Sequence, residues 1–461
     1  MSKPFPKPIK LTKLLGPSFI ILALGLGSGE VILWPYLASN YGLGLFWAAV
    51  LGISCQYFIN MEIERYALIK GESVFVGLNK VFPVAPYWFI LSTFVGFGLP
   101  GIIAASAEPF ATIFGITNFK WIAIIFLLII GLILSIGKTV YGMMERVTKI
   151  IILLGVPFIC ILAIMLSRGI HWVELGQGLV GIGKDFYFLP AGISLATFLA
   201  AFAYSGAGGN LNLTQSIYVK EKGYGMGKYA QKIAGLFTNI KTQQSVKLTG
   251  EHFTLTPQNI KQFRVWWRRI NLEHLMIFWF IGSLAMGLLM LLAYTTTYGL
   301  PGNASGIHFV INEGRIIGTR LTPIIGSLFL LIVSVMLFQT QLGVLDSTSR
   351  IMAENWVLKK LGKDEKGRVN LSKIYFIFLW AQIIFGVSLF LLNIYEPKTL
   401  IVAGALINAV AMTVHIALVN IMNYKLLPKA LQPRLARRLV LVAIFCIFLG
   451  LSVFTIGEKI F

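Results

Sequence analysis

Apolar stretches long enough to cross a lipid bilayer dominate this sequence. We count eleven, centred near Leu26, Cys55, Phe97, Leu128, Pro157, Phe202, Gly287, Leu331, Ile383, Val410 and Phe448. A helix needs about 20 mostly apolar residues to span the hydrocarbon core, and lipid does not tolerate unpaired backbone groups. The alternating segments of about ten residues that indicate a membrane β-barrel do not occur in the sequence. The sequence therefore predicts an all-α integral membrane protein with about eleven transmembrane helices.

The composition excludes a soluble enzyme. Charged residues make up 12% of the 461 residues and apolar residues 57%, whereas soluble domains carry about 25% charged residues. The five histidines are scattered without the spacing of a metal cluster or of a nucleophile and its base. We expect neither an enzyme nor a bound cofactor.

The loop charges predict the orientation of the chain. Of the 39 Lys and Arg residues, 32 fall in segments on the side of the N-terminus and seven on the other side. The positive-inside rule then places the N-terminus in the cytoplasm. We expect the protein to lie in the cell (plasma or inner) membrane. This topology accounts for the net charge of +21 without a nucleic-acid partner, and the oligomeric state stays open. In the longest such loop, Trp266-Trp267-Arg268-Arg269 predicts an interfacial anchor or, alternatively, a site for anionic lipid headgroups.

Two spans carry glycine clusters and polar residues near their middle. Span one contains Gly27-Ser28-Gly29-Glu30, and residues 207–210 of span six read Ala-Gly-Gly-Asn. Each glycine weakens a helix by about 1 kcal/mol relative to alanine. We expect both helices to be interrupted at the same depth, unless the glycines serve only close helix packing.

The order of the interrupted spans predicts an inverted repeat. They are the first and sixth of eleven, as expected for two five-helix repeats of opposite orientation with one helix left over. We place the cytoplasmic N-terminal segment at 1–17, the first repeat at 18–168 and the second at 190–422. The second repeat includes a basic cytoplasmic loop at 217–272, and the extra helix covers 438–456. Glycine-interrupted segments in matching positions mark the binding site of a secondary transporter.

Glu30 is the strongest single candidate for function. A charge at the bilayer centre costs at least about 2.5–3.5 kcal/mol, so an intramembrane carboxylate points to a functional site. Glu30 could bind a cation or carry a proton. The candidate substrate-binding residues are Gly27, Ser28, Gly29, Glu30, Ala207, Gly208, Gly209 and Asn210.

Other polar residues within the spans allow two interpretations each. Glu108 either contributes to a proton path or lies near the outer interface. His415 forms a satisfied interhelical hydrogen bond or takes part in proton movement. For Asp346 and Arg350, four residues apart in span eight, we expect a local ion pair.

Several motifs resemble those of the Nramp family of proton-coupled divalent-metal transporters. The resemblance runs through most of spans one to ten and implies a LeuT-like inverted-repeat fold. The matching positions are Gly16-Pro17-Ser18-Phe19, the stretch from Glu64 through Gly71-Glu72-Ser73, Glu108, and Asn210-Leu211.

The family's metal ligands are replaced in this sequence. Its Asp-Pro-Gly-Asn motif in span one corresponds to residues 27–30, which read Gly-Ser-Gly-Glu, as in a divergent Nramp-like branch. Its Met-Pro-His motif in span six corresponds to residues 207–209, which read Ala-Gly-Gly, and its aspartate in span three corresponds to Ala105. The soft thioether and the imidazole of the family site are therefore missing.

The remaining side-chain ligands are all oxygen. Glu30, Ser28 and Asn210, with freed backbone carbonyls, would suit a harder or partly hydrated cation such as Mg²⁺ or Mn²⁺. We therefore predict a transporter that moves a divalent metal ion by alternating access, coupled to protons. The alternative is a proton- or sodium-coupled transporter of a small organic solute such as an amino acid or amine, because the glycines leave side-chain volume free and half-helix N-termini attract carboxylates.

Overall fold

A computed structural model describes residues 2–11, 14, 17–136, 140–231, 244–362 and 366–460. Gly16 of the first family motif and residues 232–243 of the basic loop lie outside the described residues. The helices, in chain order, are α1 Pro17–Gly25, α2 Trp34–Tyr41, α3 Phe46–Lys70, α4 Val74–Val81, α5 Ala85–Gly98, α6 Gly101–Ile113, α7 Lys120–Ile136, α8 Val140–Leu166, α9 Gly169–Gly178, α10 Leu195–Ala203, α11 Thr214–Lys222, α12 Pro257–His274, α13 Gly282–Thr297, α14 His308–Arg320, α15 Pro323–Leu361, α16 Leu371–Leu391, α17 Pro397–Leu426 and α18 Leu435–Ile460.

A helix or a helix pair lies at each of the eleven predicted spans. Within the described ranges, eight helices or helix pairs are long and apolar enough to cross a membrane. Spans four and five are the 17-residue α7 and the α8–α9 pair, which bends by 118°. Span six consists of α10 and α11, with a break between them. The predicted all-α membrane fold is confirmed.

Helix boundaries follow from local capping. The side chains of Thr256, Thr322 and Glu396 accept hydrogen bonds from backbone amides at the starts of α12, α15 and α17. Each of these residues is followed by a proline at the first helical position, where its missing amide hydrogen costs nothing. These caps set the points at which spans seven, eight and ten begin.

The predicted basic loop at 217–272 is largely structured where it is described, and the loop assignment was too broad. Helix α11 continues span six to Lys222, and α12 begins span seven at Pro257. Between them strand β1, Gln244–Lys247, pairs antiparallel with β2, Lys366–Val369, which lies between spans eight and nine. The two-stranded sheet therefore joins loops that are far apart in sequence.

The N-terminal segment packs along α12 and covers Trp266, which the sequence analysis expected at the lipid interface. This tryptophan is 2% exposed, and its indole Nε1 donates a hydrogen bond of 2.9 Å to the carbonyl of Pro6. The Arg269 guanidinium donates to the carbonyls of Pro8 and Ile9. Trp266 is thus a protein-packing residue rather than an anchor at the lipid interface.

Span three has an interruption that the sequence analysis did not predict. Helix α5 ends at Gly98 and α6 begins at Gly101, with Leu99 and Pro100 between them. Because proline disfavours a helical conformation in the residue before it, Pro100 explains why α5 ends here. The break lies beside span ten, since a Cβ atom on Gly101 would be 2.6 Å from the backbone nitrogen of Ile401.

Candidate functional site

Span one is interrupted at the predicted position, and Glu30 lies inside the interruption. Helix α1 ends at Gly25, and after a two-residue turn a π-helix covers Ser28–Leu33. Glu30 is fully buried, and neither of its carboxylate oxygens has a hydrogen-bond partner of good geometry among the described residues. Backbone groups of Glu30 itself, Gly206 and Gly27 lie near the carboxylate. A buried carboxylate without a partner is costly in any membrane interior.

Span six is interrupted at the same place in the fold. Its chain leaves α10 at Ala203, turns through residues 204–208 and resumes as a 3₁₀ helix at Gly209–Leu213. Gly206, Gly208 and Gly209 have φ angles of +120°, +66° and +52°. These conformations are open to glycine and unfavourable for other residues, so the glycine cluster causes the break.

The two interruptions touch each other. An atom added as Cβ on Gly25 would lie 2.9 Å from the carbonyl carbon of Gly206 and 3.2 Å from the Glu30 Oε1. An atom added on Gly29 would lie 1.9 Å from the carbonyl oxygen of Tyr204. The Glu30 carboxylate therefore lies where the backbones of spans one and six meet.

Gln56 of span two bridges the break in span six. Its Nε2 donates a hydrogen bond of 2.9 Å to the carbonyl of Ala203, and its Oε1 accepts one of 3.1 Å from the amide of Gly208. One amide side chain thus satisfies a freed acceptor and a freed donor, which the membrane interior requires. Sequence analysis did not identify Gln56, since nothing local marks a glutamine on one helix as the partner of a break in another.

Thr340 of span eight donates to carbonyl groups at the break in span one. Its hydroxyl lies 3.3 Å from the carbonyl oxygen of Ala23 and 3.2 Å from that of Leu26, and can donate to either. The same side chain fills the space beside Gly27, where an added Cβ would lie 2.4 Å from the Thr340 methyl carbon. Thr340 therefore fixes the end of α1, and it too was missed from sequence.

The glycines at the break do not leave the space that the sequence analysis expected. A Cβ on Gly208 would lie 2.5 Å from the Tyr204 ring, and one on Gly209 would lie 2.3 Å from the Asn408 amide oxygen. In this conformation the glycines allow close approach of neighbouring groups, as in small-residue helix packing. The packing alternative thus holds for these positions, in addition to the break.

Asn210 is held by span three. Its Nδ2 donates hydrogen bonds of 2.8 Å to Ser92 Oγ and 3.0 Å to Thr93 Oγ1, while its Oδ1 has no partner among the residues described. Ser28 is buried at the start of the π-helix. Across the described ranges, no three His, Cys, Asp or Glu side chains come close enough to form a metal centre on their own. Of the predicted ligands, the structure thus places Glu30 at the break and ties Asn210 to span three.

The two further proton-path candidates lie in different surroundings. Glu108 is 13% exposed at the end of span three, and its Oε1 lies 3.7 Å from Nε2 of His308, a residue at the start of α14. The position fits the interface alternative for Glu108. His415 is fully buried, and neither ring nitrogen has a hydrogen-bond partner in the described part of the chain. Of the two alternatives for His415, the interhelical hydrogen bond is therefore not formed among the described residues.

The other polar pair expected within the spans forms as predicted. Arg350 Nε lies 2.9 Å from the Asp346 carboxylate, and both residues are buried. The Tyr375 hydroxyl donates a hydrogen bond of 2.8 Å to the same carboxylate from span nine. The ion pair lies within span eight and compensates the charge of Asp346, while the Tyr375 hydrogen bond joins spans eight and nine.

Spans one and six, interrupted side by side within a bundle of long apolar helices, define a membrane-transporter fold of the LeuT type, with five plus five helices and one more. This confirms the predicted fold class. Crystal structures of two variants of the manganese transporter of Eremococcus coleocola superpose on the chain with a TM-score of 0.72 and 11% identity, covering 99% of this chain and 89% of theirs. Mhp1, a nucleobase-cation-symport-1 family transporter in a closed conformation with bromovinylhydantoin bound, superposes with a TM-score of 0.52 and 13% identity, covering 98% of this chain and 94% of its own.

The resemblance to the Nramp family is confirmed at the level of the fold by these solved structures. Neither a protein-family model nor a curated protein sequence matches the chain. The assignment of a substrate class therefore rests on the chemistry of the site itself.

Proposed function

We propose that the chain is a secondary active transporter, similar to Nramp proteins, that moves a divalent metal cation by alternating access with proton coupling. The observation that carries this proposal is the buried Glu30 carboxylate, which lies without a partner at the meeting point of two interrupted helices. A divalent cation would compensate that charge, and backbone carbonyls freed by the breaks would complete its coordination.

The donor atoms favour a hard or partly hydrated cation such as Mn²⁺ or Mg²⁺. Glu30, Ser28 and the unpartnered Oδ1 of Asn210 supply only oxygen. Ala207 and Gly209 stand where the Nramp motif has its thioether and imidazole, so soft ligands are absent from these positions. Oxygen ligands suit Mg²⁺ and Mn²⁺, whereas sulfur and imidazole favour later transition metals.

Alternating access would require the site to open from this state. Glu30, Asn210 and the glycines between α10 and α11 are all buried, so the described conformation gives neither side of the membrane access to the carboxylate. Spans one and six are the elements whose breaks permit their halves to move separately. We assign the two repeats to 18–168 and 190–422.

We further propose that the protein lies in the cell membrane with a cytoplasmic N-terminus. The support is the location of 32 of 39 basic residues on the side of the N-terminus, as the positive-inside rule requires. Glu30 is the first candidate for carrying the coupled proton, with Glu108 and His415 as further candidates on the path.

An uptake screen in proteoliposomes tests the proposed function. Mn²⁺, Mg²⁺ and Cd²⁺ would be compared with amino acids and amines, with and without a pH gradient. We expect Mn²⁺ and Mg²⁺ uptake, stimulated by an acidic outside, with the two ions competing within about tenfold of each other because the ligands are oxygen. A strong preference for Cd²⁺ would contradict the all-oxygen site.

A small organic solute is the second candidate substrate class. The likeness to Mhp1, whose structure has bromovinylhydantoin bound, supports this candidate. Uptake of an amine or amino acid in the same screen, without uptake of any metal, would favour this candidate.

A further inference from the structure

Ser18, in the first turn of α1, connects two titratable residues of span seven. Its hydroxyl donates a hydrogen bond to the Glu273 carboxylate, and its Oγ lies 2.9 Å from Nδ1 of His274. All three residues are buried. Because a hydroxyl can donate and accept at once, Ser18 links the carboxylate to the imidazole.

A second buried carboxylate faces this group. Glu64 of α3 accepts a hydrogen bond of 3.3 Å from Gln215 Nε2 of α11, and it lies close enough to Glu273 for direct charge repulsion. Within the described ranges, neither glutamate has an ion-pair partner. Arg437 of α18 approaches this level of the bundle, but it lies 3.0 Å from the carboxylate of Glu62 instead.

The surroundings of His274 are otherwise aromatic and neutral. The Tyr57 ring of α3 stacks on the imidazole with centroids 5.6 Å apart, and Phe278 stacks with centroids 4.7 Å apart. The Tyr57 hydroxyl points to Asn271, which also accepts from Arg437. Tyr57, Glu64, Gln215 and Arg437 are polar groups that the neighbouring helices present to this cluster.

Three polar atoms in the cluster lack partners among the described residues. They are Glu273 Oε1, His274 Nε2 and Gln215 Oε1, each on a buried side chain. Burying two carboxylates side by side is costly unless they are protonated or bind a cation. The His, Asp, Glu and Cys side chains of the described chain do not converge as a metal centre here, so a proton is the fitting ligand.

We propose that Ser18, Glu273, His274 and Glu64 form a proton site that locks α1 against span seven, which we call the proton latch. The latch deepens the proposed transport function and rests on it, since it gives the coupled proton a second binding place. When Glu273 is protonated, its hydrogen bond with Ser18 reverses: the acid donates to Ser18 Oγ, and the Ser18 hydroxyl donates to His274 Nδ1. When Glu273 then passes its proton to the Ser18 oxygen, the hydroxyl proton passes to His274 Nδ1. One carboxylate and one imidazolium result, and no proton is gained or lost.

The latch would control the movement of α1. This helix has nine residues, and the turn after Gly25 separates it from the rest of span one. If α1 moves away, water reaches the cluster and one proton leaves. Because the seated state binds one more proton than the released state, low pH favours seated α1 and high pH favours its release. For one proton, the ratio of released to seated molecules rises by at most tenfold per pH unit.

Infrared spectroscopy of the full-length protein in lipid nanodiscs tests the latch without transport. We expect the wild type near neutral pH to show carbonyl-stretch absorption of protonated carboxylic acid that Glu273→Gln or Glu64→Gln removes. Glu251→Gln is the control, because the Glu251 carboxylate is partly exposed and lies 2.6 Å from Lys247 Nζ, which keeps it ionised, so this variant should retain the protonated-acid absorption. Spectra in which neither latch variant loses protonated-acid absorption would overturn the proposal.

A distance measurement tests the movement. Spin labels at two exposed positions, Lys10 ahead of α1 and Trp356 on α15, would report the position of α1 from pH 5 to 9 in a cysteine-free background. We expect a shift in the wild type that approaches tenfold per pH unit in population ratio, and none in Glu273→Gln, which mimics the protonated acid. An equal shift in both proteins would overturn the latch. Neither measurement needs metal uptake, so failure of the proposed function would show separately in the proteoliposome screen.

Discussion

Gln56 is the side chain on which the geometry of the span-six break most depends. Replacing it with leucine would leave the Ala203 carbonyl and the Gly208 amide unpaired inside the membrane. Each unpaired group costs about 1–3 kcal/mol. We expect Gln56→Leu to lower the unfolding temperature in detergent markedly and to reduce uptake.

The control for Gln56 is a second buried glutamine. Gln341 of span eight has an Oε1 without a hydrogen-bond partner among the residues described. Gln341→Leu should therefore change the unfolding temperature far less than Gln56→Leu. Equal losses in the two variants would show that the bridge contributes nothing specific.

Glu313 provides a pH-dependent prediction outside the membrane spans. It is fully desolvated on α14, and this burial raises its pKa well above the ordinary value of 4.5. The unfolded chain loses this proton near pH 4.5 while the folded chain retains it, so the folded protein loses stability as the pH rises above that value. Glu313→Gln should be more stable than the wild type at pH 7 and equal to it near pH 4. Thermal unfolding at both pH values measures this, and a constant difference would contradict it.

At the scale of helices, the glycines of span six combine two constraints. Gly208 has a positive φ, and an added Cβ would also meet the Tyr204 ring. Gly302 has a φ of +85° but would meet nothing within 4 Å. A left-handed conformation costs a non-glycine residue about 1–3 kcal/mol, so Gly302→Ala should show that cost alone.

Gly208→Ala should add the cost of the clash to the cost of the conformation. We expect a larger loss of thermal stability than for Gly302→Ala, together with reduced uptake, because the Tyr204 ring must move. Unfolding temperatures of the two variants, compared with the wild type, measure the difference. If both variants lose the same stability, close packing at Gly208 does not matter.

The sequence predicts those features of the helices that depend on local residues. Glycine clusters weaken a helix wherever they occur, so the breaks in spans one and six could be located. The break at Leu99 and Pro100 also has a local signal, the proline itself. The contacts of Gln56, Thr340 and Trp266 depend on residues more than 140 positions away, and only the packed fold reveals them.

At the scale of the whole molecule, the fold closes around a buried carboxylate at the contact of two interrupted helices. The broken halves of spans one and six bring Glu30 to their contact, while Gln56 and Thr340 supply the hydrogen bonds that the breaks require. A transported cation or a proton could compensate the charge of the Glu30 carboxylate when it is ionised. This placement accounts for why a carboxylate is kept in a costly position.

Mn²⁺ uptake into proteoliposomes by wild type, Glu30→Gln and Glu313→Gln tests this account most directly. Both substitutions remove a buried carboxylate with no partner at Oε1, but only one of these lies at the helix breaks. We expect Glu30→Gln to insert into the membrane normally and to lose uptake to the level of empty liposomes, while Glu313→Gln retains it. Wild-type uptake by Glu30→Gln would contradict the account.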